Sequence, residues 1–261
     1  MRKIIIAVIA VPALFWMAWI SFPVSSMQAV IEDSVSSGPL RIEVRGLKKG
    51  LFYTVDINML TLRTRQNDFV SFDNIHGRIN PLNFLLLKLE VSAHGYLRKG
   101  NVSGHVTFTR NTINGDIHFL KISLSDLEFL KHAGIRGTGT VDGNFMLGDS
   151  ADRLEFIAKD ANFEPADFSG VRVPLNFFHT ISGALGIQGN AVHITSVSLE
   201  GKDMYAKLKG SIRDGVMDMT MEIMPGKSYA DNPLVIAGLE PYKISPGYYS
   251  MPVKRGLQDI F

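Results

Sequence analysis

The chain has 261 residues, 46% of them hydrophobic and 20% charged, a globular balance with length for one large or two small domains beside an anchor. Its 27 basic and 25 acidic side chains are scattered, leaving a formal charge of +2 and no cluster to neutralise a row of phosphates, so no nucleic-acid partner is expected. The absence of cysteine removes disulfide frameworks, thiolate metal sites and cysteine nucleophiles, and leaves sheet packing as the expected source of stability.

No charged side chain lies between Lys3 and Glu32. The run from Ile4 to Ile20 is apolar throughout, roughly 17 residues against the ~17–25 that span a bilayer. Residues 1–23 are therefore predicted to form a single transmembrane signal anchor. Arg2 and Lys3 before the run keep the N-terminus cytoplasmic and send the body across the membrane. Trp16 and Trp19, the only tryptophans, suit the outer edge of such an anchor. The competing reading is a cleaved signal peptide, whose apolar core is typically ~7–15 residues; the present run is longer, and Ser25, Ser26 and Ala29 make a poor cleavage site. Val24, Met27, Val30 or Ile31, and Val35 then recur at helical spacing, predicting an amphipathic juxtamembrane segment over 24–37 that lies along the membrane surface.

From Gly38 to Pro225 the period becomes two. Leu40, Ile42 and Val44 alternate with Arg41, Glu43 and Arg45, and Tyr53, Val55 and Ile57 follow a turn between Gly46 and Gly50. The adjoining Met59 and Leu60 shift the phase, which reads as a β-bulge. Leu89, Val91 and Ala93 lead to a turn expected at Lys99-Gly100, with return through Val102, Val106 and Phe108 and a further hairpin expected at Asn114-Gly115. One short helix is signalled by Ser125 and Glu128 as a capping box, Leu127, Phe129 and Leu130 as its apolar face, and Gly134 as its stop.

Three turns between Gly183 and Met224 set mutually consistent registers. Gly189-Asn190 places Ile187 opposite Val192 and Leu185 opposite Ile194. Lys202-Asp203 sets Val197 against Leu208 and Leu199 against Ala206, after a bulge near Thr195 and Ser196. Asp214-Gly215, a type I′ signal, sets Leu208 against Met221, Ala206 against Ile223 and, on the other face, Lys207 against Glu222. One face is apolar and the other wet. Residues 226–261 are Pro- and Tyr-rich, with Pro233, Pro241, Pro246 and Pro252, and are expected to contribute an edge strand at most while wrapping the sheet. The fold class is thus mainly β: a single N-terminal transmembrane helix, then a long, bent, mostly antiparallel sheet forming an open meander or groove, with one or two short helices.

No P-loop, Gly-x-Ser-x-Gly or His-Glu-x-x-His pattern occurs. The Lys99-Gly100 register puts His94 across from His105, with His118 within reach on a third strand as zinc would require, but an Asn114-Gly115 turn breaks that line. These histidines share a face with Lys88, Glu90, Ser92 and Thr107 and read as solvated or membrane-facing polar positions. Asp142, Asp149, Asp152 and Asp160 show the spacing of any half-wet sheet. No catalytic, cofactor-binding or metal residue is assigned, no cofactor is called for, and the chain is expected not to be an enzyme. The 16 phenylalanines and 11 methionines suit a sheet core, or a greasy groove for acyl chains.

Several segments together resemble a family. They are the signal anchor, the Gly38-Pro39-Leu40-Arg41-Ile42-Glu43-Val44 strand, and Ile79-Asn80-Pro81-Leu82-Asn83 leading into a strand at Leu85 to Leu89. This combination resembles the AsmA-like group of inner-membrane proteins with periplasmic β-sheet bodies. The run Gly137-Thr138-Gly139-Thr140-Val141-Asp142-Gly143, the Gly183 to Gly189 strand with its meander, and the Tyr242 to Pro252 segment are most similar to the type II secretion system protein N family. The resemblance implies a single-pass protein of the bacterial inner membrane with a periplasmic body over 38–225, an accessory component of type II protein secretion that binds secretion-system partners. The alternative it implies is an AsmA-like lipid-binding or lipid-transport protein whose sheet holds phospholipid acyl chains in an apolar groove.

Overall fold

The computed structural model describes residues 13–33, 41–63, 68–110, 112–132, 134–148, 151–168, 171–173, 175–189, 191–213, 216–227 and 238–256. Strand accounts for 67% of them. In chain order the strands are β1 (Arg41–Arg45), β2 (Lys48–Lys49), β3 (Thr54–Arg63), β4 (Asp68–Asn80), β5 (Leu89–Leu97), β6 (Gly100–Phe108), β7 (Ile113–Ser123), β8 (Gly137–Leu147) and β9 (Asp152–Phe163). They continue with β10 (Ala166–Phe168), β11 (Val171–Val173), β12 (Phe178–Gln188), β13 (Ala191–Gly201), β14 (Met204–Arg213), β15 (Val216–Pro225), β16 (Lys243–Ser245) and β17 (Tyr248–Gly256). Fifteen strands form one long open antiparallel sheet, with hydrogen-bonded neighbours in the order β1-β3-β4-β5-β6-β7-β8-β9-β12-β13-β14-β15-β17-β16 and β2 paired with β3; β10 and β11 make a separate hairpin. The chain divides into two compact units, Met1–Leu97 with Ser103–Gly115, and Arg98–Val102 with Asp116–Phe261.

The first unit opens with helices α1 (Ala13–Ser21) and α2 (Val24–Asp33), bent by 82° at Phe22 and Pro23. A proline disfavours helical geometry in the residue before it, which places the break here. Among the described residues no single helix is long and apolar enough to cross a membrane; α1 and α2 pass only when taken together, on length and composition. The first part of the predicted anchor, Ile4 to Pro12, lies outside the described residues.

Both helices cover the sheet. Trp19, expected at a membrane edge, is 8% exposed in a core with Val44, Leu47, Val55 and Ile57, joined by Met27, Ile31, Ile42, Leu60 and Ile75. Its indole N–H donates to Gly50 O at 2.8 Å. Met27 and Ile31 thus spend the apolar stripe of α2 on the sheet, while Val30 stays exposed. The same helix closes the open edge of β1: Gln28 Nε2 donates to Val44 O at 3.0 Å and to Glu32 Oε1 at 2.9 Å, and Glu32 Oε1 accepts from Val44 N at 3.1 Å. Unpaired strand groups invite association with another chain, and these two side chains stand in for the missing strand.

The phase change expected at Met59 and Leu60 takes another form. Leu60 and Val55 share one core, but the β3–β4 register stays constant from Ile57↔Ile75 to Met59↔Asp73 and skips Asn58 and Asn74. Asn74 has φ +49°, a left-handed conformation that asparagine tolerates. The β3–β4 pair therefore takes no extra residue, while β4 carries one against β5, where pairing jumps from Asp73↔Tyr96 to His76↔His94.

In the second unit every pair expected from the sequence forms: Ile187↔Val192 and Leu185↔Ile194, Val197↔Leu208 and Leu199↔Ala206, and Leu208↔Met221, Ala206↔Ile223 and Lys207↔Glu222. The bulge falls at Thr195 and Ser196, where the pairing with β14 jumps from Ile194 to Val197. Gly189 has φ +57° at its turn. Asn190, Asp214 and Gly215 lie outside the described residues, as do Val35 of the juxtamembrane stripe and Asp149.

Other expectations need correction. The β5–β6 turn is Arg98-Lys99, with Arg98 at φ +56°, and Gly100 lies within β6, where a Cβ would strike the Ile122 side chain. The β6–β7 hairpin closes between Thr109 and Thr112, which pair through Thr109 N to Thr112 O at 2.9 Å and their hydroxyls at 2.7 Å, so Asn114-Gly115 sits in β7. Helix α3 (Glu128–His132) starts without the capping box: Ser125 Oγ lies 2.8 Å from Ser123 Oγ, and Glu128 pairs with Lys131 at 2.7 Å. Gly134 does end it, at φ +78°, with Ile135 N donating to Leu130 O at 2.8 Å and Gly134 N to Lys131 O at 2.9 Å.

The C-terminal segment supplies an edge strand that also contributes to the core. β17 pairs with β15 from Ile223↔Tyr249 to Val216↔Gly256, burying Tyr249, Met251 and Val253, and the short β16 flanks it. Pro252 pairs with Thr220 beyond the reach of β16, an outer position that tolerates a missing N–H.

Gly139 is the glycine of the Gly137 to Gly143 run that takes a positive φ. It has φ +123° at a break in the β8–β9 register, and a Cβ there would lie 2.9 Å from Ala161 Cα and Asp160 O. Gly139→Ala is expected to destabilise the full-length protein by about 1–3 kcal/mol, seen as a lower thermal midpoint in detergent, whereas Gly186→Ala, where a Cβ meets nothing within 4 Å, leaves the midpoint almost unchanged.

Candidate apolar binding face

Within the second unit the registers line up three rungs on one face. The first runs Val141, Ala158, Ile181, Leu199, Ala206, Ile223, Tyr249; the second Gly143, Phe156, Gly183, Val197, Leu208, Met221, Met251; the third Phe145, Leu154, Leu185, Ile194, Gly210, Met219, Val253. No ionisable side chain other than the Tyr249 phenol interrupts them. Successive side chains alternate between faces, so the other face carries Asp142, Ile157, Ser182, Ser198, Lys207, Glu222 and Ser250 on its matching rung, polar but for Ile157. Surface ion pairs stud that face: Arg153 with Glu155 at 2.6 Å, Lys209 with Glu222 at 3.2 Å and Lys254 with Asp218 at 3.4 Å. Exposed pairs of this kind contribute about 0–1 kcal/mol each, so they keep the face soluble more than they hold the fold.

Burial divides the apolar face in two. Toward β15 and β17 it is core, with Met221 4%, Ile223 1% and Met251 2% exposed. The connection between β9 and β12 brings β10 up to β17, and Ala166, Leu175 and Leu239, all outside the long sheet, are buried as well. Toward β8, β9 and β12 the face is only half-buried at Phe145, Leu154, Phe156, Ile181, Leu185 and Ile187. Aromatic rings pave its glycines. A Cβ on Gly183 would come within 3.0 Å of the Phe156 ring and 2.7 Å of Val197 Cγ2, one on Gly143 would collide with the Phe119 ring, and one on Gly137 would lie 2.6 Å from Phe163 Cδ1. Rings laid across glycines present a flat apolar surface that a β-branched residue would roughen.

The histidines do not assemble as expected. His94 pairs with His76 on β4, ring centroids 5.2 Å apart, and His76 Nδ1 lies 2.6 Å from Asp56 Oδ1 on β3. No turn signal in the chain sets the β4–β5 register, so sequence reasoning missed this Asp56–His76–His94 rung; its one trace in the sequence is the matched even spacing of His76 and Arg78 against Asp56 and Thr54. His118 lies 3.5 Å from Asp116 instead. Among the described residues no group of three or more histidines and carboxylates is placed to hold a metal ion. Asp142 accepts from Lys121 N at 2.7 Å and Asp152 from Gly148 N at 3.2 Å, both tying backbone, while Asp160 sits in a left-handed position at φ +50°. In the first unit the Arg45 hydrogen bond, with Arg63 adding charge, holds the half-buried Glu43 carboxyl below the ordinary carboxylate range.

No protein-family model, curated protein or solved structure matches the chain.

The two parts of the face answer differently to charge. Met221→Asp buries a carboxylate without a partner and is expected to unfold the second unit, at a cost of several kcal/mol. Leu185→Asp, on the half-exposed part, leaves the carboxylate in reach of water and should retain the folded circular-dichroism spectrum with a thermal midpoint lowered by a few degrees.

Proposed function

We propose that this protein is a non-enzymatic lipid-binding sheet, anchored in the bacterial inner membrane by its N-terminal run with the N-terminus cytoplasmic, whose periplasmic body receives phospholipid acyl chains along the apolar face. The observation that carries the reading is the unbroken apolar ladder of the second unit, covered by the chain itself at one side and left half-exposed over β8, β9 and β12. Each methylene withdrawn from water contributes about 0.8 kcal/mol, so an acyl chain laid along the half-buried rungs gains with every methylene it buries. The Phe156 ring over Gly183 and the Phe119 ring over Gly143 provide the smooth floor a flexible chain needs. The ladder is uncharged, so the headgroup stays at the rim while the acyl chain lies along the floor. The AsmA-like resemblance leads to the same ligand class.

A second reading, an accessory component of type II protein secretion, rests on the resemblance to the type II secretion system protein N family. Its structural support is the outer edge of β17 beyond Tyr249, which no strand pairs among the described residues and which offers backbone groups to an added strand from a partner protein.

Native mass spectrometry of the full-length protein released from gentle detergent distinguishes the two. The lipid reading expects stoichiometric phospholipid on the wild type and at least a several-fold loss on the folded Leu185→Asp variant. A lipid-free wild-type mass, or lipid retained equally by Leu185→Asp, contradicts it and leaves the protein-partner reading in front.

A further inference from the structure

At one end of the first unit apolar side chains stand exposed at the tips of two connections. Three features meet there: the C-terminal end of α1, the turn from β2 to β3 at residues 50–53, and the connection from β4 to β5, a single 3-10 segment over Pro81–Leu86 followed by Leu87 and Lys88. Register brings the two connections side by side, because Thr54 pairs with Arg78, Asn80 pairs with Glu90, and Ile79 N donates to Tyr53 O at 2.8 Å. The helix end is bolted to the turn. Trp16 Nε1 donates to Leu51 O at 3.0 Å, and Lys49 Nζ donates to Trp19 O at 2.6 Å, Ile20 O at 2.9 Å and Phe22 O at 2.6 Å, taking up carbonyls that a helix terminus leaves free.

The polar groups here are spent on one another and on the backbone. Asn80 Nδ2 donates to Glu90 Oε2 at 3.1 Å, Asn83 Nδ2 donates to the same oxygen, Asn80 Oδ1 accepts from Leu82 N at 3.2 Å, and Lys88 N donates to Asn83 O at 2.9 Å. The apolar side chains face out: Leu51 is 64% exposed, Phe52 71%, Leu82 69%, Leu86 66% and Leu87 87%. Loops that face water usually carry polar tips, and single apolar residues need no explanation, but two adjoining loops whose tips are all leucine and phenylalanine do.

We infer that this end of the first unit seats on a lipid bilayer, with the Leu51-Phe52 turn and the leucine-tipped connection after β4 dipping into the interface beside α1. The inference rests on the N-terminal run being a membrane anchor, and adds two further points of attachment that hold the body in one orientation. A bilayer is favoured as the occupant because the patch continues directly into α1, whose Leu14, Met17 and Ile20 are also exposed, and into the uncharged run that precedes it. Trp16 lies at the junction, where an amphipathic ring prefers the membrane–water interface. Lys48 and Lys88 flank the patch and are long enough to reach lipid phosphates while the leucines insert. Interfacial apolar groups of this kind sit about 5–10 Å into the headgroup boundary.

The chain has no cysteine of its own, so single labels are clean. Phe52→Cys and Leu82→Cys, with Ile244→Cys on the exposed β16 as the control, are each labelled with an environment-sensitive fluorophore in full-length protein reconstituted into phosphatidylethanolamine–phosphatidylglycerol vesicles. Labels at 52 and 82 are expected to be quenched by lipids bearing a nitroxide near the headgroup and shielded several-fold from aqueous iodide, with the opposite pattern at 244. If the protein floats with the vesicles while 52 and 82 remain as open to iodide as 244, the seating is wrong and the anchor stands. If the protein does not float with the vesicles, the anchor reading itself fails and the inference goes with it.

Discussion

The alternation of side chains across a strand is the constraint on which this protein depends. A sheet one layer thick has two faces, and a register slip of one residue would send every apolar side chain of a strand into water. Between β8 and β17 the registers hold each strand in phase, and where the chain carries an extra residue, at Thr195 and Ser196 or at Asp160 and Ala161 opposite Gly139, a bulge absorbs it and restores the phase beyond. The result is one face with three uncharged rungs and one face of serines and ion pairs. The first is buried toward β15 and β17, where β10 comes up to β17, and only half-buried over β8, β9 and β12.

Edges are handled by different means in the two units. In the first, Gln28 and Glu32 on α2 hydrogen-bond the outward groups of Val44, so a helix takes the place of a strand. In the second, β16 covers only the start of β17, and Pro252 removes a donor from the stretch beyond it. Proline at an outer strand discourages indiscriminate pairing while leaving the neighbouring backbone open to a chosen partner.

Much of the second unit was legible from the chain because its hairpins are local. Asp214-Gly215 and Gly189-Asn190 each join strands whose apolar residues pair in only one register, and three turns that agree exclude the alternatives. Elsewhere stronger side-chain interactions overrode turn propensity. The hydroxyls of Thr109 and Thr112 close a hairpin ahead of the Asn114-Gly115 signal, and Gly100 is needed under Ile122 more than in a turn. Long-range placement was the least legible. Trp19 looks like a membrane-edge residue in the linear sequence, but the Gly50 carbonyl and the apolar side chains of β1 and β3 provide a site for its indole that no local pattern announces. The prolines of the last segment suggested an edge strand at most, and β17 is one over most of its length, but its Tyr249, Met251 and Val253 also complete the core. Of the candidate face, the rungs from β12 to β15 were readable, but the rings of Phe119 and Phe156 over Gly143 and Gly183 depend on β7, β8 and β9 coming together.

The central claim is that one face of the second unit contacts lipid and the other does not. Photo-crosslinking tests it most directly: p-benzoylphenylalanine is placed at Leu185 on the apolar face or at Glu155 on the opposite face, and the full-length protein is irradiated in cells and analysed for covalently attached lipid. The account predicts phospholipid adducts from position 185 and none above background from position 155. Equal labelling from both positions, or protein adducts alone from position 185, would contradict it.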